Sequence, residues 1–229
     1  MNEIPIPTLK ALASQLNEIG TDWVFTGGSI IGLLLDEPSL STTRPTDDVD
    51  VIIGIITQKS YSLIEEKLRS LDFDHDTTEN APMCRWVFRD SLIVDIMPSE
   101  GEFLGLNTEF FNEALASAET IAVHDVSIRV VNPINFIATK ISAFKDRGKL
   151  DFFGSHDLED IISVIDGRDG ILEEIEQAAD PIRNFIYSAF KDYSNCPDFL
   201  DSLAGHLPPD SASQQRLPSL LEKVRKIGE

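Results

Sequence analysis

Asp48-Val49-Asp50-Val51-Ile52-Ile53, preceded by Arg44-Pro45-Thr46-Asp47, is the stretch on which the reading of this chain turns. Its β-branched content predicts a strand over residues 49–56. Side chains alternate along a strand, so Asp48 and Asp50 share one face while Val49, Val51 and Ile53 take the other. At about 3.3 Å per residue their Cα atoms stand roughly 6 to 7 Å apart, within reach of one divalent ion. Without a cation, like charges at that separation raise each other's pKa and cost stability. An isolated Asp-x-Asp reads equally well as a solvated strand start, and a third carboxylate tips the balance. Asp95 lies within Leu92-Ile93-Val94-Asp95-Ile96-Met97, a second strand whose apolar neighbours imply burial. A buried aspartate needs a partner. Two further carboxylates and a metal ion would supply one, and oxygen-only donors suit Mg²⁺ or Mn²⁺, not zinc.

Upstream, Trp23-Val24-Phe25 reads as a short buried strand running into Gly27-Gly28-Ser29, with a helix from Ile30 ending near Asp36. Glycines between a strand and a helix let a ligand approach the backbone. The exposed N–H groups, together with the Ser29 hydroxyl, can receive phosphate oxygens. Outward from this centre, Thr8 is expected to cap a helix reaching Gly20, residues 37–46 form a loop, and residues 59–71 form a helix with Leu63, Ile64, Leu68 and Leu71 on one stripe. Strands follow over residues 85–88 and 92–97, then a helix from about Thr108 and a last strand over residues 126–131. Beyond Pro133 the apolar spacing is helical throughout: Ile134, Ile137, Ile141 and Phe144, then Leu158, Ile161, Ile162 and Ile165, then Ile182, Phe185, Ile186 and Phe190. This change sets a boundary near Asn132 between a mixed half, residues 1–131, and a helical half, residues 132–229. Residues 206–218 read as a loop before a short final helix.

Taken together, Gly27-Gly28-Ser29 after a strand, the run from Arg44 to Asp50 and the strand aspartate at 95 resemble the polymerase β-type nucleotidyltransferase superfamily. Ala138-Thr139-Lys140-Ile141-Ser142-Ala143 through Arg147-Gly148, followed by His156-Asp157-Leu158-Glu159-Asp160, resembles the branch containing the AbiEii-type toxins, and is similar also to some small antibiotic nucleotidyltransferases. The likeness spans residues 23–166. One departure is visible: residues 37–43 make the gap between Gly28 and Asp48 longer than the family usually has. The resemblance implies an α+β nucleotidyltransferase fold, a small mixed β-sheet flanked by helices and followed by a helical C-terminal region. It implies that Asp48, Asp50 and Asp95 are the catalytic residues and the metal ligands, and that Asp95 also takes the acceptor's proton. It assigns Gly27, Gly28, Ser29, Lys140 and Asp157 to the nucleotide. Lys140 lies off its helix's apolar stripe with Arg147 two turns on, so the two cations could meet phosphates, with Asp157 orienting Lys140. The implied reaction moves a nucleoside monophosphate from an NTP to a hydroxyl on tRNA or another RNA 3′ end, a protein or a small molecule. A cognate antitoxin protein is the further partner if the chain is a toxin.

Composition narrows the alternatives. The 229 residues carry 19 Lys and Arg against 39 Asp and Glu, a formal charge of −20, so broad binding to DNA, RNA or an anionic membrane is excluded as the main activity. An RNA acceptor would need a local basic patch, for which Arg44, Arg85 and Arg89 are candidates. The N-terminal residues have no basic start before an apolar stretch, and no apolar run nearby approaches the length of a membrane span, so a cytoplasmic protein is expected. Cys84 and Cys196 stand alone, as core thiols. Among the four histidines, at 75, 124, 156 and 206, no ligand spacing recurs, and His156 reads as a helix-start or surface residue. A P-loop, a nucleophile elbow and an EF-hand are each missing a required residue. Two rivals survive: a metal-dependent glycosyltransferase, whose Asp-x-Asp also holds a nucleotide diphosphate, and an NTP-binding protein without catalysis.

Overall fold

The structure is a computed structural model that describes residues 4–36, 46–123 and 126–229. Arg44, and the lengthened gap at residues 37–43, lie outside the described residues. Two compact units divide what is described: residues 4–30 with 46–132, and residues 31–36 with 133–229. Residues 31–36, expected in the first unit, cluster with the second.

In the first unit, α1 (Ile6–Leu16) buries Leu9, Leu12, Ala13 and Leu16 at helical spacing. Its cap is Pro5, and Thr8 lies inside the helix. Prolines suit the first turn, where an N–H has no intrahelical partner to lose, so Pro5 and Pro7 move the start ahead of Thr8. Strands β1 (Trp23–Thr26), β2 (Asp48–Ile53), β3 (Phe73–His75), β4 (Arg85–Phe88), β5 (Leu92–Pro98), β6 (Glu119–Val123) and β7 (Val126–Val130) follow. Among the described residues they form one mixed sheet in the order β3-β4-β5-β2-β1-β7-β6. β2 runs parallel to β5 and antiparallel to β1, and β1 runs parallel to β7. The expected mixed sheet flanked by helices is therefore present, with two strands, β3 and β6, beyond those read from sequence.

Helix α3 (Gln58–Arg69) starts at Thr57, whose hydroxyl accepts from the Ser60 amide, and carries Lys67 and Arg69 in its last turn. Both features favour a helix of that polarity. Its buried stripe is Tyr61, Ile64 and Leu68. Leu63, expected on that stripe, is exposed. Tyr61 takes the inward place, and its hydroxyl donates to the Ile96 carbonyl at 3.0 Å. Helix α4 (Phe111–Ala116) precedes the β6–β7 hairpin.

The second unit contains α2 (Ile31–Leu34), α5 (Pro133–Asp146), α6 (His156–Gly167), α7 (Ile171–Gln177), α8 (Asp180–Ser194), α9 (Pro197–Ser202), α10 (Ser211–Gln214) and α11 (Leu217–Ile227). The helix expected over residues 30–36 is thus a single turn. Residues 206–218, read as a loop, hold α10. An aromatic cluster of Phe144, Phe152, Phe190, Tyr193 and Phe199 joins α5, α8 and α9. Gly167 ends α6 against Leu35, where a Cβ would come within 2.9 Å of Cδ2. Among the described residues no helix is long and apolar enough to cross a membrane.

Candidate active site

Strand register brings together the residues that the sequence singled out in the first unit. Asp50 is paired directly with Asp95 across β2 and β5, with Thr26 across β2 and β1, and Asp95 is paired with Arg85 across β5 and β4. Paired positions share a face, so Thr26, Asp50, Asp95 and Arg85 form one row across four strands, with Asp48 two residues along on the same side. The row one residue further, Phe25, Val51 and Ile96, points the other way and is wholly buried. That buried row fixes the register, because a slip by one residue would drive the carboxylates into the core.

Within the row the carboxylates lean in different directions. Arg85 grips Asp95 with a two-pronged hydrogen bond, Nε to Oδ1 and Nη2 to Oδ2, both 2.8 Å, and the same Nη2 reaches Asp48 Oδ2 at 3.5 Å. Hydrogen bonding to Asp95 raises the guanidinium's pKa above its ordinary value, although partial burial opposes the charge. Thr46 donates from its hydroxyl to Asp48 Oδ1 at 2.8 Å. Asp50 turns toward β1, where its carboxylate lies against Gly27. A Cβ on Gly27 would stand 1.8 Å from Asp50 Oδ2, and the backbone there has φ +75°. Only glycine meets both conditions. Among the described residues no three His, Cys, Asp or Glu side chains converge as a ready-made metal cage.

The turn after β1 is a 3-10 turn, Gly28–Ile30. Ser29 does not cap a helix: its hydroxyl oxygen is buried and has no hydrogen-bond partner. A buried hydroxyl without a partner is costly, and it is the group expected where a ligand oxygen completes the bonding. Nearby, burial and the charges of Asp95 and Asp50 push the Cys84 thiol up to about 12, which makes it an inert core thiol.

Of the expected basic patch, Arg85 and Arg89 lie among the described residues, and both face carboxylates. Arg85 is committed to the carboxylates, and Arg89 stacks over Phe88 at 4.9 Å and faces Asp72 at 3.9 Å. Sequence reasoning saw Arg85 as a cation beside acidic strands. Its direct pairing with Asp95 needed the β4–β5 register, which the two strand sequences alone do not specify.

In the second unit, Lys140 on α5 and Asp157 on α6 do come together, in company. Lys140 Nζ is 3.1 Å from Asp157 Oδ1 and 2.6 Å from Asp160 Oδ2, and Arg147 holds Asp157 through Nε and Nη2 at 2.9 and 2.8 Å. Asp160 is 1% exposed. Burial favours the neutral form of Asp157, yet the hydrogen bonds from Arg147 and the charge of Lys140 outweigh it and hold its pKa below the ordinary value. The Lys140–Asp157 pair is largely buried. Ser155 caps α6 and His156 faces Glu159 in solvent.

No family model matches the sequence, and no curated protein matches it. Solved structures do. The fold is similar to the crystal structure of an antigenic nucleotidyltransferase-like protein from Paracoccidioides brasiliensis, with TM-score 0.52 and 16% identity over 96% of this chain and 91% of that one. Weaker likenesses are JHP933 from Helicobacter pylori, with TM-score 0.48 and 14% identity over 96% of this chain and 89% of that one, and the antibiotic-resistance factor ANT(2'')-Ia, with TM-score 0.47 and 13% identity over 83% of this chain and 95% of that one. The first likeness establishes that this chain has a nucleotidyltransferase-like fold.

Proposed function

We propose that the chain is a nucleotidyltransferase, moving a nucleoside monophosphate from an NTP to an acceptor hydroxyl with release of pyrophosphate. The observation that carries this reading is the cross-strand row: Asp50 beside Asp95, Asp48 on the same face, and the Asp50 carboxylate against the Gly27 turn that presents Ser29. The donor set fits a hard divalent ion in chemistry, being all carboxylate oxygen. In position the row is not a formed ion site, since Arg85 holds both oxygens of Asp95 and reaches Asp48, and an ion would have to displace it. Mg²⁺ or Mn²⁺ held by the three carboxylates would neutralise charge that develops on the transferring phosphate.

The chain's own groups then divide the work. The unpartnered Ser29 hydroxyl donates to a phosphate oxygen, and the backbone of Gly27 and Gly28 lets that phosphate approach. Asp95 is the carboxylate assigned to the acceptor's proton. With both oxygens accepting from Arg85 it has none directed at an acceptor, and release frees one. Lys140 and Asp157 are assigned to the nucleotide through their cluster, where an incoming phosphate would compete with Asp157 and Asp160 for the Lys140 ammonium.

The acceptor is an RNA 3′ end, a protein or a small molecule. The AbiEii-like stretches extend the proposal to a cytoplasmic toxin held in check by a cognate antitoxin protein. Because Arg85 and Arg89 are already engaged and the chain carries −20, a small molecule or a protein suits it better than RNA. A second reading, NTP binding without turnover, is favoured by one observation, the Arg85 grip on Asp95. Incubation with each labelled NTP, Mg²⁺ and either total tRNA, protein or a metabolite pool tests the proposal. Label on one acceptor with stoichiometric pyrophosphate is expected; NTP binding with no pyrophosphate would leave the second reading standing in its place.

A further inference from the structure

Arg85 sits where a metal ion would have to act. It is directly opposite Asp95 in the β4–β5 register, takes both of that carboxylate's oxygens at 2.8 Å, and with one Nη2 reaches across to Asp48. One guanidinium thus touches two of the three carboxylates that the proposed function assigns to the ion. We propose that Arg85 is the resident counter-cation of the row, and that a divalent ion binds by displacing its guanidinium from Asp95 and Asp48. This inference rests on the metal site of the proposed function and adds to it a residue that positions the carboxylates and sets how tightly they take an ion.

The physical argument has three parts. First, the Asp95 side chain is 12% exposed, deep enough that its charge needs compensation when no ion is bound. Arg85 supplies that compensation with the fork geometry best matched to a carboxylate. Second, the two cations exclude one another. An oxygen that coordinates Mg²⁺ at about 2.0–2.1 Å brings two positive charges to the place the guanidinium occupies, and like charges a few ångströms apart in a partly buried site repel strongly. Third, the exchange has a path. The Arg85 side chain is 26% exposed, so its head can swing into water on its flexible stem without crossing packed core. Thr46 meanwhile steadies Asp48 from the other side at 2.8 Å, and the Asp50 carboxylate rests on Gly27. Asp48 and Asp50 keep these supports while the guanidinium leaves Asp95 and Asp48.

A static salt bridge would look the same and behave differently. If Arg85 competes with the ion, removing its charge must tighten metal binding; if it is only a strut, removing it loosens the site. Titration of Mn²⁺ into the full chain, read by the electron paramagnetic resonance of free Mn²⁺ with no nucleotide present, separates them. Arg85→Met, which keeps the stem and removes the charge, is expected to bind Mn²⁺ at least about tenfold tighter than the parent, about 1.4 kcal/mol. Arg85→Lys keeps a charge but loses the fork and is expected to show a smaller gain, about threefold, in the same direction. The gain should vanish when Asp50→Asn is added, because the ion then lacks one of its three carboxylates. Affinity in Arg85→Met equal to or weaker than the parent overturns the exchange. Should that variant fail to fold, unchanged or weaker affinity in Arg85→Lys overturns it equally. The outcomes also part this inference from the reading beneath it. Pyrophosphate release by the parent with no Mn²⁺ gain in the variants sinks only the role of Arg85, whereas a clear Mn²⁺ gain with no pyrophosphate from any NTP sinks the transfer reaction and leaves the exchange intact.

Discussion

On the sheet, Asp48 and Asp95 share one guanidinium, that of Arg85, while Asp50 leans against Gly27; on the helices, Asp157 and Asp160 gather around two cations, Lys140 and Arg147. The ingredients are alike and the outcomes are opposite. On the sheet one part-exposed guanidinium is shared between two carboxylates, so an incoming cation can compete with it for both. Two carboxylates with two cations are neutral. Exposure follows the same division: the Asp48 side chain is 35% exposed, and Asp160 is 1% exposed. A half-open cluster that shares one guanidinium can exchange it for another cation, whereas a buried cluster with two cations gives them up at greater cost.

The largest effect expected from this contrast is on catalysis. Asp50→Asn and Asp48→Asn should lower turnover by at least about a thousandfold, roughly 4 kcal/mol of barrier. Each removes one of several like charges, so thermal stability without metal should hold or rise. Asp95→Asn should lose turnover too and also melt earlier, because Arg85 keeps its charge and loses its partner. Steady-state kinetics with each NTP, beside melting curves, checks all three. A retained rate in Asp50→Asn would mean that the row is not the site.

The helical cluster should answer in stability. Lys140→Met strands Asp160 in a buried place while Asp157 keeps Arg147, and the expected loss is about 3 kcal/mol in denaturant unfolding. Adding Asp160→Leu should recover most of it, since the uncompensated buried charge goes with it. The assignment of Lys140 to the nucleotide makes a separate demand: NTP affinity in the presence of Mg²⁺ should fall in the double variant, in which stability has been restored. Unchanged affinity there would confine Lys140 to structure.

How much of this was legible beforehand differs between the clusters for a physical reason. Alternation in Asp48-Val49-Asp50 states which side chains share a face, and the apolar run around Asp95 states that its strand is buried, so the carboxylates could be named from period alone. The partner of a strand residue is set by register, and register depends on which strands pair. Thr26 opposite Asp50 and Arg85 opposite Asp95 were therefore not readable. Strand β3 is three residues long and β6 lies at the sheet edge, too short or too lightly patterned to stand out. On the helices, a spacing of three or four predicts the stripe but not the depth at which a polar side chain comes to rest. Lys140 and Asp157 were read as neighbours, and their burial was not. Thr8 is expected as a cap, and prolines move the helix start ahead of it; Ser29 lies in a 3-10 turn that leaves its hydroxyl without a partner.

Ser29 gives a smaller effect that sharpens the contrast on the sheet side. Ser29→Ala should weaken NTP binding about tenfold, about 1.4 kcal/mol, with melting temperature unchanged or slightly higher because an unsatisfied buried hydroxyl is removed. Calorimetric titration and a melting curve on the same sample decide it. A variant that melts earlier and binds NTP normally would show that the hydroxyl has a structural partner and no ligand.

The smallest effect is a pH dependence that belongs to the helical cluster. Burial alone would raise the Asp157 pKa, but the hydrogen bonds from Arg147, followed by the charge of Lys140, leave it depressed in the folded chain. A carboxyl whose folded pKa lies below its unfolded value stabilises the fold at every pH above the unfolded value, and that contribution drains away as pH falls through the unfolded value, near 3.8, toward the folded one. Acid unfolding should therefore begin in this window, with Asp157 among the groups that take up protons. Arg147→Met removes the bidentate donor and should shift the acid midpoint upward, while stability at neutral pH falls by less than about 1 kcal/mol, because the Arg147 side chain is 71% exposed and water screens most of its charge. Asp157→Asn should flatten the same acid limb by removing the titrating group itself. Fluorescence-monitored acid titration of the parent and both variants reads these shifts directly. An acid midpoint in Arg147→Met equal to that of the parent would leave Lys140 as the cation that sets the Asp157 charge, and the helical cluster would be balanced by one buried lysine in place of two cations.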